Sequence, residues 1–403
     1  MSKIVAIIGL GYVGLPLAVK FGSKIETIGF DISKKKINLL KKFIDPNKEL
    51  SKKEIKNSKK LIFTNNKEDI SKANYFIVTV PTPLVSYSNK PDFGPLKEAC
   101  KIIGQNMKKS TFVIFESTVF PGATRDICVP ILERYSKKKW LIDFNVGYSP
   151  ERINVGDKST SLTKVTKLIA GDTNKSLLEI KKIYSLVTKK LFKVDSIEVA
   201  EAAKSLENTQ RDINIAFINE FSQICENLKI KTSDVINAAS TKWNFIKFTP
   251  GLVGGHCISV DPYYLSFKAK SLNYNPKIIN YSRKINESMP KFIFKKIMKN
   301  YKLKNKKKTV LILGLTFKEN CSDIRNSKIF ELIKILKKKN FAVQLHDPLV
   351  EKKEVKKIYG ENIVNQSYLK KNYDIVILNS PHDYYLDKLS KLVKTINENG
   401  IFF

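Results

Sequence analysis

The chain has 403 residues, of which 42% are hydrophobic and 10% aromatic, so it is long enough for two or three domains with buried cores and is not of a disordered type. No apolar run approaches the roughly 20 residues that span a bilayer, and five scattered cysteines without a Cys-x-x-Cys pair, beside three histidines, argue against a disulfide framework or a metal site. The formal net charge of +34 suggests nucleic-acid binding, but only six of the 72 basic residues are arginines, and short lysine runs usually form solvated faces.

The N-terminus resembles a signal peptide only briefly. Met1-Ser2-Lys3 precedes the apolar stretch Ile4–Ile8, but that stretch runs directly into Gly9-Leu10-Gly11, and no small-residue cleavage site follows. We therefore expect a cytoplasmic protein with neither a membrane nor a nucleic-acid partner. The basic charge would still favour small anionic substrates.

Short apolar runs alternate with helical patterns in the first part of the chain, as they do in a parallel α/β sheet. This pattern predicts a first domain over residues 1–195. The predicted strands and helices are, in chain order, strand Ile4–Ile8, helix Val13–Phe21, strands Thr27–Phe30, Tyr75–Val80 and Phe112–Phe115, a strand within Thr160–Gly171, and helix Lys175–Lys190.

A glycine-rich turn lies between the first strand and the first helix. Gly9-Leu10-Gly11-Tyr12-Val13-Gly14 allows a tight turn, close approach of the backbone to a pyrophosphate, and helix–strand packing, and the helix N-terminus supplies amide donors. Asp31 ends the second strand, where its carboxylate would accept from both ribose hydroxyls and repel a 2′-phosphate. These features predict an NAD site made by Gly9, Gly11, Tyr12, Val13, Gly14 and Asp31.

Two polar loops follow later strands of the same sheet. Pro81-Thr82-Pro83 comes after the third strand, and Glu116-Ser117-Thr118-Val119 after the fourth. Ligands of doubly wound sheets bind at these carboxyl ends. By position alone, each loop is as readily explained as an ordinary polar connection.

A long helix is predicted from about Ile197 to Leu228, followed by a second strand–helix–strand region. At 1.5 Å per residue such a helix spans about 45 Å, which suits a bridge between domains or the spine of a homodimer. We expect a central helical domain over 196–300 and a second α/β domain over 301–403, which the lysine-rich Lys302–Lys308 introduces. The helix carries apolar residues at Val199, Ala203, Leu206, Ile213, Phe217, Phe221, Ile224 and Leu228, and the later elements are strands Thr309–Leu313, Ala342–Leu345 and Asp374–Leu378 and helix Ser327–Lys338.

Cys257 is the strongest candidate for a reactive residue. It follows Gly254-Gly255-His256 and precedes Asp261 by four positions. Beside a hydride acceptor, a cysteine thiolate can add to an aldehyde as a thiohemiacetal, lose a second hydride to become a thioester, and release a carboxylate on hydrolysis. A lone cysteine is more often a small buried hydrophobe, and that interpretation applies to the other four, Cys100, Cys128, Cys225 and Cys321.

The chain closely resembles the UDP-sugar and GDP-sugar 6-dehydrogenases of the UDP-glucose/GDP-mannose dehydrogenase family, from Gly9 to about Asp383. This resemblance implies an α/β fold with two Rossmann-like doubly wound domains joined by a long central helix, and four-electron oxidation of a sugar C6 hydroxyl by NAD. It rests on Gly9–Gly14, Val80–Pro83, Glu116–Val119, Ser149–Arg152, Glu201–Lys204 with Asn208, Gly254–Asp261, and Gly314–Glu319 with Asp323 and Arg325.

The resemblance also implies catalytic roles. Cys257 would be the nucleophile, and Lys204 and Asn208, at i and i+4 on one helix face, would stabilise the developing oxyanion. Asp261, through a water, would help to remove the hydroxyl proton in the first oxidation. Glu151 would assist hydrolysis of the thioester.

The remaining implied residues bind cofactor or substrate. Thr118 would position the hydrolytic water near Glu151, and Lys318 would bind the nucleotide sugar from the second α/β domain. The turn Gly314-Leu315-Thr316-Phe317 has too few glycines to bind a second NAD, and the resemblance implies that this domain holds the UDP moiety. The full expected sets are Thr82, Thr118 and Arg325 for the cofactor in addition to the glycine turn, and Glu151, Arg152, Lys204, Asn208, Gly254 and Lys318 for the substrate.

The sugar is suggested by three segments. These segments look like the corresponding segments of the UDP-N-acetylhexosamine 6-dehydrogenases, a class of enzymes whose products are used in bacterial surface polysaccharides. Arg152 would contact an acetamido carbonyl or a diphosphate, or alternatively form a structural salt bridge. UDP-glucose or GDP-mannose oxidation is the alternative within the family, and a basic nucleic-acid-binding protein on a Rossmann scaffold is the alternative from another class. The segments are Ser149–Asn154 with Gly156-Asp157-Lys158, Thr241–Phe245, and Pro250–Val253.

The end of the chain departs from the family pattern. It stops at Gly400-Ile401-Phe402-Phe403, whereas the relatives usually continue past this strand with an aspartate and a basic residue. We therefore expect the last strand to be incomplete and the UDP-binding half to be loosened.

Overall fold

The computed structural model describes residues 3–47, 49–85, 88–152, 165–300, 308–365, 367, 369 and 372–403. The chain divides into two compact units, one of Met1–Glu207 with Tyr263–Tyr274, and the other of Asn208–Pro262 with Asn275–Phe403. Every helix in these described ranges is too short or too polar to be a candidate membrane span.

The first unit is built on one sheet of eight strands. Their order is β3-β2-β1-β4-β5-β6-β7-β8, and all neighbours are parallel except the antiparallel pair β6–β7. The first, second and fourth strands are buried at every residue, as expected of apolar parallel strands covered on both faces. The strands are β1 (Val5–Ile8), β2 (Thr27–Phe30), β3 (Leu61–Thr64), β4 (Tyr75–Val78), β5 (Thr111–Phe115), β6 (Phe144–Tyr148), β7 (Lys167–Gly171) and β8 (Leu191–Lys193).

The helices of the first unit connect these strands. The longest, α7, begins in the first unit and continues into the second, and it has the predicted bounds. A 3₁₀ helix of six residues occurs at Lys67–Lys72, and a π-helical segment of five residues at Thr124–Cys128. The α-helices are α1 (Gly14–Gly22), α2 (Lys34–Lys41), α3 (Lys52–Asn57), α4 (Gly94–Asn106), α5 (Val129–Ser136), α6 (Asn174–Tyr184) and α7 (Ile197–Leu228).

The sequence prediction for α6 was too long. The predicted helix extended to Lys190, but the observed helix ends at Tyr184. There the amides of Val187 and Thr188 both bond to the Tyr184 carbonyl, which tightens the chain into a turn before β8. A helical pattern of apolar residues therefore continued past the true end, because Leu186 and Val187 are apolar residues of the turn rather than of the helix.

The second unit contains a smaller parallel sheet. Its four strands have the order β10-β9-β11-β12 and carry helices between them. The last strand pairs with its neighbour through Ile401 and Phe402, so residues at the chain end are part of the sheet. The elements are α8 (Thr232–Ala239), α9 (Asp261–Ser271, mostly in the first unit), α10 (Lys277–Asn300), β9 (Lys308–Leu313), α11 (Ile329–Lys338), β10 (Phe341–His346), α12 (Lys352–Tyr359), β11 (Tyr373–Leu378), α13 (Asp383–Leu386), α14 (Leu389–Val393) and β12 (Ile396–Phe402).

The same turn geometry occurs at the start of both sheets. After β1, Gly9 has φ +97° and the Leu10 amide donates to Asp31 Oδ2 over 3.0 Å. After β9, Gly314 has φ +80° and the Leu315 amide donates to Asp347 Oδ2 over 2.6 Å. Both halves are therefore Rossmann-like, with a left-handed glycine and an acidic residue at the end of the next strand.

A buried polar network joins α7 to α10 within the second unit. The Arg283 guanidinium lies 2.6 Å from Asp212 Oδ1, and the Asn286 amide donates to the same oxygen over 2.7 Å. Asn219 in turn donates to Asn286 and holds both backbone groups of Gly251, at 3.0 and 2.8 Å. Because Asp212 and Arg283 are only 0% and 3% exposed, their charges depend on each other in the interior. The network anchors the backbone six residues before Cys257.

Candidate active site

The glycine turn of the first unit fits a bound dinucleotide. A Cβ atom at Gly14 would lie 1.9 Å from the Gly9 carbonyl oxygen and 2.3 Å from Thr79 Oγ1, so this position packs tightly against the first and fourth strands. At Gly11 a Cβ would meet nothing within 4 Å. The turn is thus tight where the helix packs on the sheet and open where a pyrophosphate would approach the backbone.

Asp31 lies at the end of β2 as predicted, and the structure adds a partner. Its Oδ1 accepts from the Ser33 amide over 2.9 Å, and its Oδ2 accepts from the Leu10 amide. Lys36 Nζ lies 2.6 Å from the same Oδ2. A ribose hydroxyl at this carboxylate would therefore share it with the Lys36 ammonium, whose side chain is 27% exposed.

Thr82 and Thr118 are brought together after β4 and β5. The Thr82 hydroxyl donates to the Thr118 carbonyl over 2.7 Å, and the Ser117 hydroxyl donates to the Val80 carbonyl over 2.7 Å. Tyr264 of α9 donates a further hydrogen bond to the Thr82 carbonyl. The two polar loops are consequently one connected structure at the carboxyl edge of the sheet, rather than two separate connections.

The first turns of α7 are attached to the loop that carries Thr118. The Glu201 carboxylate accepts from the Gly122 amide over 2.5 Å and from the Thr124 amide over 2.9 Å. Burial raises the pKa of Glu201 to about 7, although the hydrogen bonds from Thr124 and Gly122 oppose the rise. Lys204 lies one turn further along and is 8% exposed. A solvated surface lysine is thereby ruled out for this position.

Glu151 and Arg152 follow β6. Arg152 pairs with Glu207 at 2.8 Å and donates to the Thr166 carbonyl over 2.9 Å, so the salt-bridge alternative is observed, and the acetamido contact stays a prediction. Glu151 Oε1 accepts from the Arg152 amide over 2.7 Å, while its Oε2 lies 3.4 Å from Lys167 Nζ. The neighbouring motif Gly156-Asp157-Lys158 and Ile153-Asn154 lie outside the described residues.

Cys257 lies in a tight turn of the second unit, immediately before α9. It is exposed, whereas the other four cysteines are buried. Gly255 has φ +86°, and a Cβ there would lie 2.7 Å from the ring of Phe317. A Cβ at Gly254 would lie 2.7 Å from the Asn326 carbonyl oxygen. The two glycines therefore allow the chain to pass Phe317 and Asn326 and to present Cys257 at the surface of the unit.

Asp261 and Asn208 meet within the second unit. The Asn208 side-chain amide donates to Asp261 Oδ2 over 2.5 Å, and Asp261 is 2% exposed. The Asp261 amide donates to the Cys257 carbonyl over 2.8 Å, so Asp261, the first residue of α9, lies one turn after the cysteine. Asn208 thus orients Asp261 as well as lying one turn after Lys204 on the continuous helix α7.

Arg325 and Lys318 lie near the Cys257 turn in the second unit. Arg325 forms a two-pronged pair with Asp323, through Nε–Oδ1 at 3.0 Å and Nη2–Oδ2 at 2.6 Å. Burial, reinforced by the Arg325 charge, lowers the pKa of His256 to about 4, so this imidazole is neutral near pH 7. The Lys318 carbonyl accepts from the Thr316 hydroxyl over 2.6 Å, which closes its turn. The cofactor role of Arg325 and the substrate role of Lys318 stay predictions.

The sequence analysis assigned no role to two charged residues of the first unit, Lys167 and Glu201. Lys167 begins a strand whose other residues are apolar, and Glu201 begins a motif in which only Lys204 was assigned a role. A lysine or glutamate inside an otherwise apolar or helical pattern is the only local signal, and 66 lysines in all make it weak. No group of residues in the described ranges has the side chains to hold a metal ion.

Comparison with known proteins gave consistent matches. Three models of the UDP-glucose/GDP-mannose dehydrogenase family match the chain, with the NAD binding domain at residues 3–188, the central domain at 198–288 and the UDP binding domain at 311–403. A UDP-N-acetyl-D-glucosamine 6-dehydrogenase of Salmonella typhi is 45% identical over 94% of this chain and 90% of its own. One of Pseudomonas aeruginosa is 46% identical over 88% and 85%. The solved UDP-D-ManNAc dehydrogenase of Pyrococcus horikoshii superposes with a TM-score of 0.86 and 28% identity, over 99% of this chain and 98% of that one.

Proposed function

The chain belongs to the UDP-glucose/GDP-mannose dehydrogenase family, and from this premise we propose that it oxidises the C6 hydroxyl of a UDP-N-acetylhexosamine, principally UDP-N-acetylglucosamine, to the uronic acid. Each turnover would consume two NAD and one water and release two NADH and three protons. The observation that carries this proposal is the exposed Cys257 in its glycine turn, among four other cysteines that are buried.

The cofactor would be held by the first unit. Gly9, Gly11 and Gly14 would receive the pyrophosphate with the amides that open α1, and Asp31 would receive the ribose. When bound, NAD supplies the hydride acceptor for both oxidations. We assign residues 1–195 to this role, 196–300 to the central segment that carries Cys257, and 301–403 to the UDP moiety.

The proton movements would be served by residues of α7 and α9. Asp261 would take the C6 hydroxyl proton through a water during the first oxidation, and the Asn208 amide that contacts it would keep the carboxylate oriented. Lys204 would stabilise the negative charge that develops on the reacting oxygen. Its near-complete burial supports this role, because an ammonium with little water around it acts strongly on a neighbouring charge.

Cys257 would carry the sugar between the two oxidations. Its sulfur would form a bond to the aldehyde carbon while the thiol proton passes to the carbonyl oxygen, giving a thiohemiacetal. Loss of a hydride and the hydroxyl proton would leave a thioester. Water would then add to the carbonyl with transfer of a proton to Glu151, the carbon–sulfur bond would break, and Cys257 would regain its proton. Thr118 would position this water.

The identity of the sugar is favoured by the relatives. Two chains named UDP-N-acetyl-D-glucosamine 6-dehydrogenase share 45% and 46% identity with this one, whereas the UDP-N-acetyl-D-mannosamine dehydrogenase of Pyrococcus horikoshii shares 33%. The UDP binding domain supports a UDP-sugar over a GDP-sugar. A nucleic-acid-binding protein on the same scaffold would instead show salt-sensitive retention of DNA or RNA.

The substrate is tested by counting NADH. Purified protein is incubated with excess NAD and limiting UDP-N-acetylglucosamine, UDP-N-acetylgalactosamine, UDP-glucose or GDP-mannose. We expect two NADH per sugar consumed with UDP-N-acetylglucosamine. One NADH per sugar would mean that the aldehyde escapes and that the role of Cys257 is wrong. Turnover only with UDP-glucose would retain the mechanism and reject the sugar assignment.

The exposed stripe of α7 supports a homodimer. Val199, Leu206, Phe217, Ile224 and Leu228 are 53%, 62%, 62%, 48% and 62% exposed in the single chain. At about 100° per residue these five side chains fall within roughly 40° of one another on the helix. A soluble protein rarely leaves such a stripe in water, and a second copy with the same stripe would cover it.

The dimer is tested by charge insertion. Replacing Phe217 with lysine is expected to convert the protein from a dimer to a monomer in light scattering coupled to gel filtration, because a lysine would be buried opposite the partner's apolar stripe. Phe192→Lys is the matched control, since Phe192 is similarly exposed, at 59%, but lies on strand β8. A wild-type protein that is monomeric at micromolar concentration would refute the proposal.

A further inference from the structure

Three buried side chains and one partly exposed carboxylate of the first unit form one cluster around Lys167. Lys167 Nζ lies 2.9 Å from Glu116 Oε2 and 3.4 Å from Glu151 Oε2. The side chains of Lys167, Glu116 and Glu151 are 4%, 0% and 13% exposed. With Tyr184, which is fully buried, these residues are called the Lys167 cluster. Only Glu151 reaches toward solvent, so it is the member that can meet a water molecule.

The cluster holds each group in a defined orientation. Tyr184 donates a hydrogen bond to Glu116 Oε1, and its ring lies 5.3 Å from the Lys167 ammonium. Glu151 is held at Oε1 by the Arg152 amide and at Oε2 by Lys167. The Arg152 guanidinium points instead to Glu207 of α7. The Lys167 ammonium is thus a cationic partner of the Glu151 side chain.

The charges of the cluster do not balance. Burial raises the pKa of Glu116, and the Glu151 charge adds to the rise while Lys167 opposes it. Burial alone would lower the pKa of Lys167, but Glu116 and Glu151 outweigh it and the net shift is upward. One ammonium therefore serves two carboxylates, and it stands closer to Glu116, the one that water does not reach.

We propose that Lys167 is a positioning residue for Glu151 in hydrolysis of the thioester, and that Glu116 limits how strongly Lys167 engages it. A carboxylate that is hydrogen-bonded to an ammonium keeps a fixed orientation, but a carboxylate that is bonded too closely to one is a poor proton acceptor. By drawing the ammonium toward itself, Glu116 leaves Glu151 oriented and still able to take a proton from water. This inference rests on the proposed hydrolytic role of Glu151.

The experiment separates hydrolysis from the oxidations. Enzyme in excess is mixed with UDP-N-acetylglucosamine and NAD, and the acyl-enzyme at Cys257 is followed by intact mass while NADH is followed by absorbance, across pH 5 to 9. In Lys167→Met we expect the acyl-enzyme to accumulate and to hydrolyse about 100-fold more slowly.

Three further variants keep the test interpretable. Glu116→Gln retains the ammonium and removes the competing charge, so Lys167 should engage Glu151 more closely and the hydrolysis rate should fall. Lys167→Arg, which conserves the charge, should restore most of the hydrolysis rate. Because Lys167→Met leaves Glu116 buried without a counterion, Lys167→Met/Glu116→Gln supplies a neutral pair that can replace it if the single variant does not fold.

The outcomes distinguish the inference from the proposed function. If Glu151→Gln accumulates acyl-enzyme but the Lys167 and Glu116 variants hydrolyse it at the wild-type rate, the positioning role is wrong and the function stands. If Glu151→Gln hydrolyses the acyl-enzyme at the wild-type rate, the assigned role of Glu151 is wrong. If no acyl-enzyme forms on Cys257 in any variant, the proposed function itself is refuted.

Discussion

Replacing Cys257 with serine is expected to lower uronic acid formation by roughly 10³-fold or more, because a serine hydroxyl is a far weaker nucleophile than a thiol near neutral pH. The first oxidation does not use the sulfur, so some NADH should still form, and the ratio of NADH to sugar consumed should fall from two toward one. Cys257 is exposed, and the change replaces its sulfur with a smaller oxygen atom, so thermal stability should change little.

The measurement combines the NADH ratio with chromatographic detection of the uronic acid and the aldehyde. Cys225→Ala is the matched control, since Cys225 is fully buried on α7 and has no assigned role. It removes a thiol without touching the turn, and turnover at saturating substrate should match the wild type once the protein is folded. A Cys257→Ser protein that still yields two NADH per sugar at the wild-type rate would contradict covalent catalysis and favour a simple dehydrogenase.

Alanine at Gly14 and at Gly11 should weaken NAD binding for different reasons. At Gly14 the new Cβ would overlap the Gly9 carbonyl oxygen, 1.9 Å away, and backbone atoms cannot yield as a flexible side chain can. The turn between β1 and α1 must open, so we expect both lost NAD binding and a lower melting temperature. At Gly11 the added methyl would have free space in the protein alone, but it would stand where the pyrophosphate approaches.

The two glycine variants are compared by NADH titration and thermal unfolding. Gly11→Ala should lower NAD affinity by about tenfold or more, a loss of about 1.4 kcal/mol, while its melting temperature stays at the wild-type value. Gly14→Ala should change both quantities. Equal NAD affinity for Gly11→Ala and the wild type would place the pyrophosphate elsewhere, and an unchanged melting temperature for Gly14→Ala would show that the turn is less constrained than the distances require.

Local patterns predicted the elements whose residues are apolar at a regular spacing. Strand β2 and the long helix α7 have the predicted bounds, and β1, β5 and β9 differ by one residue. The pattern failed at β3, an edge strand of four residues, and at α10, where lysines and an internal Pro290 break the apolar period. The sequence therefore indicated elements whose apolar residues form a clear local run or period. It did not indicate β6 or α4, although each of them has a buried face.

The candidate site likewise has residues that the sequence predicts and contacts that only the structure shows. Gly9, Gly14, Asp31 and Cys257 were predicted from the sequence. Tight turns need glycine, and the acidic residue and the cysteine stand at short separations from a strand or helix end. The distances then showed which of the residues contact one another, as in the pairs Thr82 with Thr118 and Asn208 with Asp261.

The sequence by itself determined the two α/β halves, the long helix between them, the nucleotide turn and the cysteine turn, since each depends on residues within a few positions of one another. The tertiary structure alone decided how the interior charges are paired. Glu116 and Lys167 are 51 positions apart, and Asp212 and Arg283 are 71 apart. Such pairs leave no local pattern, because a buried charge is tolerated only where folding brings a distant partner within a few ångströms of it.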